Sequence, residues 1–442
     1  MAKIGQQWLN LPQDIFLEIF KYLTFEEKAN VRASCKYLQE LIDHPTLWLN
    51  RTIVIKSLQS CNSCFWTTLT KRRIRSVVIR QATPKQLQKM VNLIPNLTAI
   101  SMEVKMNAER LRMLRPLANL QKLQLSDSSA MLDKELLREV VTFKQLTTLF
   151  LCSSLFGDGS SLCLLAELKK LQSLTLHAKQ KGPPLMSIQY ILFQLPKLKE
   201  LSLRSVETWE NFSLCFTAPE NKTSKETGCL EAQCISQLQL EKLSLLNSTN
   251  VPLSRKAFNQ LSNVRSLSMG LIRPCFSLNT SFLQSMLENL PNITELELFW
   301  NGPLAEFVKL LPSGLTRIDL INARLSNVDV KLLSDSSGKT LKRLSLVLCS
   351  GITEAMLKRL PKQFPFLQTL DLSGYRLLNQ KTLFGLVDMA FLKEIIISNN
   401  PHLTNEIIKQ FRTSTKNRVH VTQKSKSNQN ECGCIFYSQL LS

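Results

Sequence analysis

Glycine is scarce in this chain, with 13 residues in 442, and histidine is scarcer, with four. So few glycines leave no Gly-rich loop to cradle a phosphate. His44, His177, His402 and His420 stand in no H-E-x-x-H arrangement, and no G-x-S-x-G elbow occurs. No catalytic residues, cofactor or metal are therefore expected. No run approaches the ~18–20 apolar residues that would cross a bilayer. No basic stretch leads into an apolar core at the N-terminus, so no secretory signal is expected. The 12 cysteines are scattered, which suits a reducing compartment, cytoplasm or nucleus. Cys61 and Cys64 form a single C-x-x-C without the second pair or the histidines that zinc needs.

Acidic residues are also few: 34 Asp and Glu against 55 Lys and Arg, for a net charge of +21. The excess lies outside residues 1–50. From Arg51 to Met102 there is no acid, and Lys71, Arg72, Arg73 and Arg75 cluster there. A second basic run spans 409–426. Two readings stand: a surface that steers acidic partners, or solvated faces that keep an apolar chain soluble. Nucleic acid is not an expected partner, because no aromatic residues interleave with these runs.

What is abundant is leucine in a fixed pattern. L-x-x-L-x-L, with aliphatic substitutions, begins at Ile74, Leu97, Leu120, Leu146, Leu171, Leu198, Leu240, Val264, Ile293, Leu315, Leu341, Leu367 and Leu392. Apart from one gap of 42, the spacings run from 22 to 29 residues. That is the leucine-rich-repeat period, one strand and one helix per unit. Helical spacers open at Asp133, Ser187, Ser254 and Ser281, residue types that cap helices well. Pro95, Pro196 and Pro291 stop helices just before a strand. The expected fold is an α/β leucine-rich-repeat solenoid, a horseshoe with a parallel sheet on its concave face and helices on its convex face. It spans 74–422 in about thirteen repeats, with an insertion near 205–235. Within it Ala218–Gly228 reads as a solvated loop. Residues 51–73 read as a basic linker or cap, and 423–442 as a disordered tail.

Residues 1–50 are different. Ile15, Ile19 and Leu23 make one apolar stripe at helical spacing, and Phe16 and Phe20 add a second. A helix that is apolar on several sides expects burial on several sides. A unit of this size cannot supply that alone, so it should dock on something else. Thr24 with Glu27 is a capping box that opens a second helix. Leu11-Pro12 begins the unit, Cys35 falls in its middle and reads as a core residue, and Leu47-Trp48 closes it. These residues resemble an F-box, the short all-α module that binds a Skp-type adaptor and so a cullin ubiquitin ligase. Many F-boxes carry Trp three residues after the cysteine; Leu38 stands there and still fills an apolar slot.

An F-box-like unit followed by leucine-rich repeats resembles the F-box and leucine-rich-repeat family. The resemblance implies a non-catalytic substrate receptor of a Skp–cullin–F-box ubiquitin ligase, in the pathway of ubiquitin conjugation and proteasomal degradation. Leu11, Pro12, Ile15, Ile19, Leu23, Val31, Leu38, Leu47 and Trp48 match the family's adaptor-facing and core positions. The alternative is a non-ligase scaffold or inhibitor that clamps a protein partner, with the N-terminal unit as a cap.

Strand alternation gives a candidate site for that partner. The first, fourth and sixth positions of L-x-x-L-x-L-x point inward, and the third, fifth and seventh point to the concave face. Seventh positions include Leu246, Gly270, Phe299, Ile321 and Val347. Glu297 and Asp319 occupy fifth positions beside them. The expected substrate-binding strip is Leu246, Glu297, Phe299, Asp319, Ile321 and Val347, with Phe150, Arg204 and Trp300 as secondary candidates. The competing reading is that the loops after the strands cover the seventh positions.

Overall fold

The computed structural model describes residues 11–424, apart from 127–130, 158, 206–210, 220–236, 247–251, 271–279, 301, 303, 376–377, 399 and 401. The described residues divide into two compact units, one up to Ser153 and the other from Ser154 to Lys424.

The first unit opens with three helices, α1 (Gln13–Lys21), α2 (Phe25–Ser34) and α3 (Lys36–Ile42). Pro12 caps α1, and its carbonyl accepts the Ile15 and Phe16 amides. The capping box at α2 forms as expected. The Thr24 amide donates to the Glu27 carboxylate at 2.7 Å, and the Glu27 amide donates to the Thr24 hydroxyl at 3.2 Å. A single 3-10 turn, Pro45–Leu47, then leads into alternating strands and helices. These are β1 (Thr52–Ile55), α4 (Ser63–Lys71), β2 (Ser76–Ile79), α5 (Pro84–Leu93), β3 (Ala99–Met102), α6 (Ala108–Arg112), β4 (Lys122–Ser126), β5 (Met131–Leu132), α7 (Lys134–Val140) and β6 (Thr148–Ser153). Strands β1, β2, β3, β4 and β6 run parallel, side by side.

The second unit holds β7 (Leu155–Phe156), β8 (Ser173–Ala178), β9 (Glu200–Arg204), β10 (Lys242–Leu246), β11 (Ser266–Gly270), β12 (Glu295–Phe299), β13 (Arg317–Ile321), β14 (Arg343–Val347), β15 (Thr369–Asp371), β16 (Glu394–Ser398) and β17 (His420–Lys424). From β8 to β17 each strand pairs in parallel with the next, in chain order. The register never slips, because each strand brings the same pattern to the core and a one-residue shift would turn its leucines out. In all thirteen copies the first, fourth and sixth positions are buried, as with Leu315, Ile318 and Leu320. The parallel, helix-lined sheet expected from the period is what forms.

Several boundaries differ from those read in the sequence. Residues 51–73 are built as a repeat of their own: β1 pairs with β2, and α4 follows it. The pattern was hidden because the first position is Asn50, an exposed polar residue. At the other end β17 extends the sheet through Lys424, past the expected start of the tail at 423. There the first position is Arg418 and the sixth is Gln423, so the leucine signal is again lost. Residues 425–442, the rest of the expected tail, lie outside the described residues. The insertion after β9 is not all solvated loop: Phe212, Cys215 and Phe216 form a buried 3-10 turn. Residues 220–228 of the expected loop are outside the described residues. Ser187 does not cap its helix, which starts at Leu185; its hydroxyl donates to the Gly159 carbonyl instead. Asp133 and Ser254 do cap theirs.

Candidate functional site

The packing of the N-terminal helices sorts the residues matched to an F-box. One side of α1 turns Phe16, Leu17 and Phe20 into the core. Phe16 packs against Phe20 and meets Tyr37 edge to face at 6.0 Å. The other side leaves Ile15 and Ile19 47% and 46% exposed, with Leu11 and Pro12 exposed before them. Leu23 and Val31 are half-buried.

Leu38, Leu47 and Trp48 are buried, so they hold the unit together and do not face a partner. The Trp48 indole N–H donates to the Ile42 carbonyl at 2.6 Å, and Phe25 meets its ring edge to face. Cys35 is exposed rather than a core residue, because it sits at the junction of α2 and α3 with an extended backbone. The helical spacing did not single out three exposed aromatic residues: Tyr22, 82% exposed, Phe25, 69% exposed, and Tyr37, 43% exposed. Tyr22 continues the Ile15–Ile19 stripe at helical spacing, a signal that was available. A contiguous apolar surface of this kind marks an interaction site more often than chance exposure does.

Asp43, at the end of α3, anchors this unit to the first repeat. Arg32 donates to both its carboxylate oxygens, and Arg72, at the end of α4, donates at 2.8 Å. The Arg72 guanidinium also lies over the Trp48 ring, 3.7 Å from its centroid. Burial by itself would raise the Asp43 carboxyl, but the hydrogen bonds from Arg32 and Arg72 outweigh it and hold the group below its ordinary value. Arg72 belongs to the basic cluster of the sequence, yet in the fold it is an internal strut and not a surface charge.

The expected substrate strip in the second unit is only partly a surface. Leu246, Phe299 and Ile321 are buried, and Val347 is half-buried. The register explains this: Gly270, Phe299, Ile321 and Val347 stand side by side on neighbouring strands, so these side chains shield one another. Gly270 has φ +150°, and a Cβ there would come within 2.4 Å of the Phe299 Cβ. Leu246, Phe299 and Ile321 are therefore core, and the exposed-anchor reading of Phe299 is corrected. Phe150 and Trp300 are buried as well, and Arg204 is half-buried.

The fifth and third positions carry the polar groups of this face. Glu297 pairs in register with Asp319, and Glu295 with Arg317, which is followed by Arg343. Asp319 is itself buried and accepts from Arg317 at 3.0 Å and from Arg343 at 3.4 Å. Arg317 Nη1 also lies 3.8 Å from Glu295. Glu297 stands in register between Ser268, whose side chain hydrogen-bonds to it, and Asp319. It is half-buried, and its Oε1 is shut off from solvent with no hydrogen-bond partner among the described residues. Burial, and then the charge of Asp319, push its carboxyl up to about 7.

Residues 8–53 match the F-box-like family model. No curated protein matches the chain. Among solved structures, a leucine-rich-repeat protein of Leptospira interrogans is similar at 18% identity, over 83% of this chain and 94% of that one, with a TM-score of 0.35. Human 5T4 (Wnt-activated inhibitory factor 1, trophoblast glycoprotein) is similar at 14% identity, over 63% of this chain and 79% of that one, with a TM-score of 0.23. The chain joins a segment that matches the F-box-like model to parallel strands and helices whose spacing is the leucine-rich-repeat period.

Proposed function

We propose that this protein is the substrate receptor of a Skp–cullin–F-box type ubiquitin ligase, working in the cytoplasm or nucleus. The observation that carries the reading is the exposed face of Leu11, Ile15 and Ile19, extended by Tyr22, inside the segment that matches the F-box-like model. A Skp-type adaptor would cover that face. The receptor itself would break no bond. It would hold a target near a ubiquitin-charged enzyme and raise the effective concentration of the target's lysines.

On this reading the target rests on the sheet face of the second unit, beside Glu297 and the Glu295–Arg317–Asp319–Arg343 network. Glu297, half-buried beside Asp319 on the next strand, would receive a Lys or Arg of the target.

One observation favours a second reading, a non-ligase scaffold or inhibitor: Asp43 and Arg72 bind the F-box-like unit to the first repeat as a cap would. Co-expression of the full chain with a Skp-type adaptor separates the two. Wild type should co-purify with the adaptor, and Ile15→Arg with Ile19→Arg should abolish this while the thermal melt is unchanged. Failure of the wild type to retain the adaptor would favour the scaffold.

A further inference from the structure

The residue just before the first leucine of each copy obeys a rule. In eleven of the thirteen copies it is polar or glycine, as at Asn96, Asn119, Gln145, Lys197 and Asn263. That position precedes the strand and faces water, so a polar residue costs nothing there. The last two copies break the rule with Phe366 and Phe391. Neither phenylalanine serves the core, which Leu367 and Leu392 already fill. They remain 46% and 51% exposed, one repeat apart, with ring centroids 5.4 Å apart and planes tilted by 49°. A sequence that excludes apolar residues from a row everywhere else, and then places two aromatic ones side by side, has built a contact.

The two rings wall a shallow groove of about 430 Å³, with Thr316 and Gln368 also lining it and Lys339 and Lys342 adding charge. No Asp or Glu lines the groove. We propose that this groove binds a linear acidic peptide that carries an apolar side chain. The apolar side chain seats against the Phe366–Phe391 pair, and flanking carboxylates meet the Lys339 and Lys342 ammonium groups. The charge complementarity decides the class of partner: the groove is cationic, and a basic peptide would be repelled. The rings form a notch rather than the series of open platforms on which nucleic-acid bases stack in succession. Its lining shares no residue with the set Glu295, Glu297, Arg317 and Arg343, and it does not depend on the adaptor reading.

The test is a selection of displayed random peptides on the full-length chain. It is run in parallel on wild type, F366A/F391A and K339E/K342E. Peptides enriched on wild type should carry Asp or Glu around a bulky apolar residue. A synthetic copy of the best of them should bind F366A/F391A roughly tenfold more weakly or worse, as for loss of a central anchor. K339E/K342E should weaken the same peptide and remove the acidic preference from its own selection. All four side chains are exposed, so the melts should match wild type; if either variant fails to fold, the other still decides. Peptides that bind F366A/F391A as well as wild type would overturn the proposal. So would enrichment without acidic residues, or no enrichment at all. Binding of poly(U) RNA that needs Phe366 and Phe391, in place of peptide binding, would assign the groove to nucleic acid and overturn it too.

Discussion

Arg72 closes on Asp43 at 2.8 Å while its guanidinium lies over the Trp48 ring, so one side chain joins the helical unit to the first repeat by charge and by stacking. Asp43 is almost fully buried, with Arg32 as its second partner. Asp43→Ala would leave two arginines without their anion, at a cost of ~3 kcal/mol, the scale for removing one member of a buried pair. Urea unfolding at pH 7 measures it. A loss within experimental error would show that the unit is held by packing alone.

The same group sets an acid limb. The folded Asp43 carboxyl lies below its ordinary value, so the unfolded chain takes up the proton first. The stabilisation is present above the unfolded value near ~4 and is lost as pH falls through the folded one. Stability curves for wild type and Asp43→Asn should converge as pH falls below that window and separate at neutral pH. Curves that stay parallel would remove Asp43 from the acid limb.

Glu297 behaves in the opposite sense. Its carboxyl is pushed up to about 7, so the folded state holds a proton that the unfolded state releases between the ordinary carboxylate range and neutrality. Stability from this group is therefore present at acidic pH and is lost as pH rises through about 7. Glu297→Gln should stabilise the free protein at pH 8 and do little at pH 5. Differential melts at the two pH values read this directly, and an equal effect at both would mean that Glu297 is ionised throughout.

Phe299→Ala should unfold rather than disarm. Phe299 is buried between Gly270 and Ile321 in the register, so truncation should cost ~3–5 kcal/mol of stability, as for an aromatic removed from a core. A melt that matches wild type would restore Phe299 as a surface residue.

Arg418 closes the C-terminal end. Its guanidinium donates to the carbonyls of Met389, Ala390 and Leu392 at 2.7–2.9 Å, and to that of Val387 at 3.3 Å. Arg418→Ala should cost ~1–3 kcal/mol for the carbonyls left without a donor, and loosen β17 first. Truncation after residue 391 should go further, exposing the apolar edge of the Leu367 repeat and causing aggregation. Hydrogen exchange of β16 and β17 amides reports the first effect and light scattering the second; a monomeric, cooperative truncation would contradict the assigned register.

The interior was legible in the sequence, because leucine at the first, fourth and sixth positions has one physical use, and Leu315, Ile318 and Leu320 occupy it. The ends were not. Asn50 and Arg418 replace the first leucine at positions where water or a terminal cap takes the place of a neighbouring repeat. The site was legible in part. Helical spacing showed that Ile15 and Phe16 lie on different sides of α1, but only packing decides which side faces out. Alternation placed Phe299 on the sheet face, but alternation cannot say that its in-register neighbours Gly270 and Ile321 will cover it. Lys71, Arg72 and Arg73 read as one cluster, and only the fold shows that Arg72 turns inward to Asp43.

The central claim is that the exposed side of α1 binds a Skp-type adaptor, and a titration of purified adaptor into the full-length chain tests it most directly. The wild type should bind saturably, and Ile15→Ala with Ile19→Ala should weaken binding by ~2–3 kcal/mol, from the loss of two half-exposed isoleucines that the adaptor would bury. Leu38→Ala, a core change on the other side of the unit, should lower the melt instead. Binding of equal strength by wild type and the Ile15/Ile19 variant, both folded, would contradict the claim.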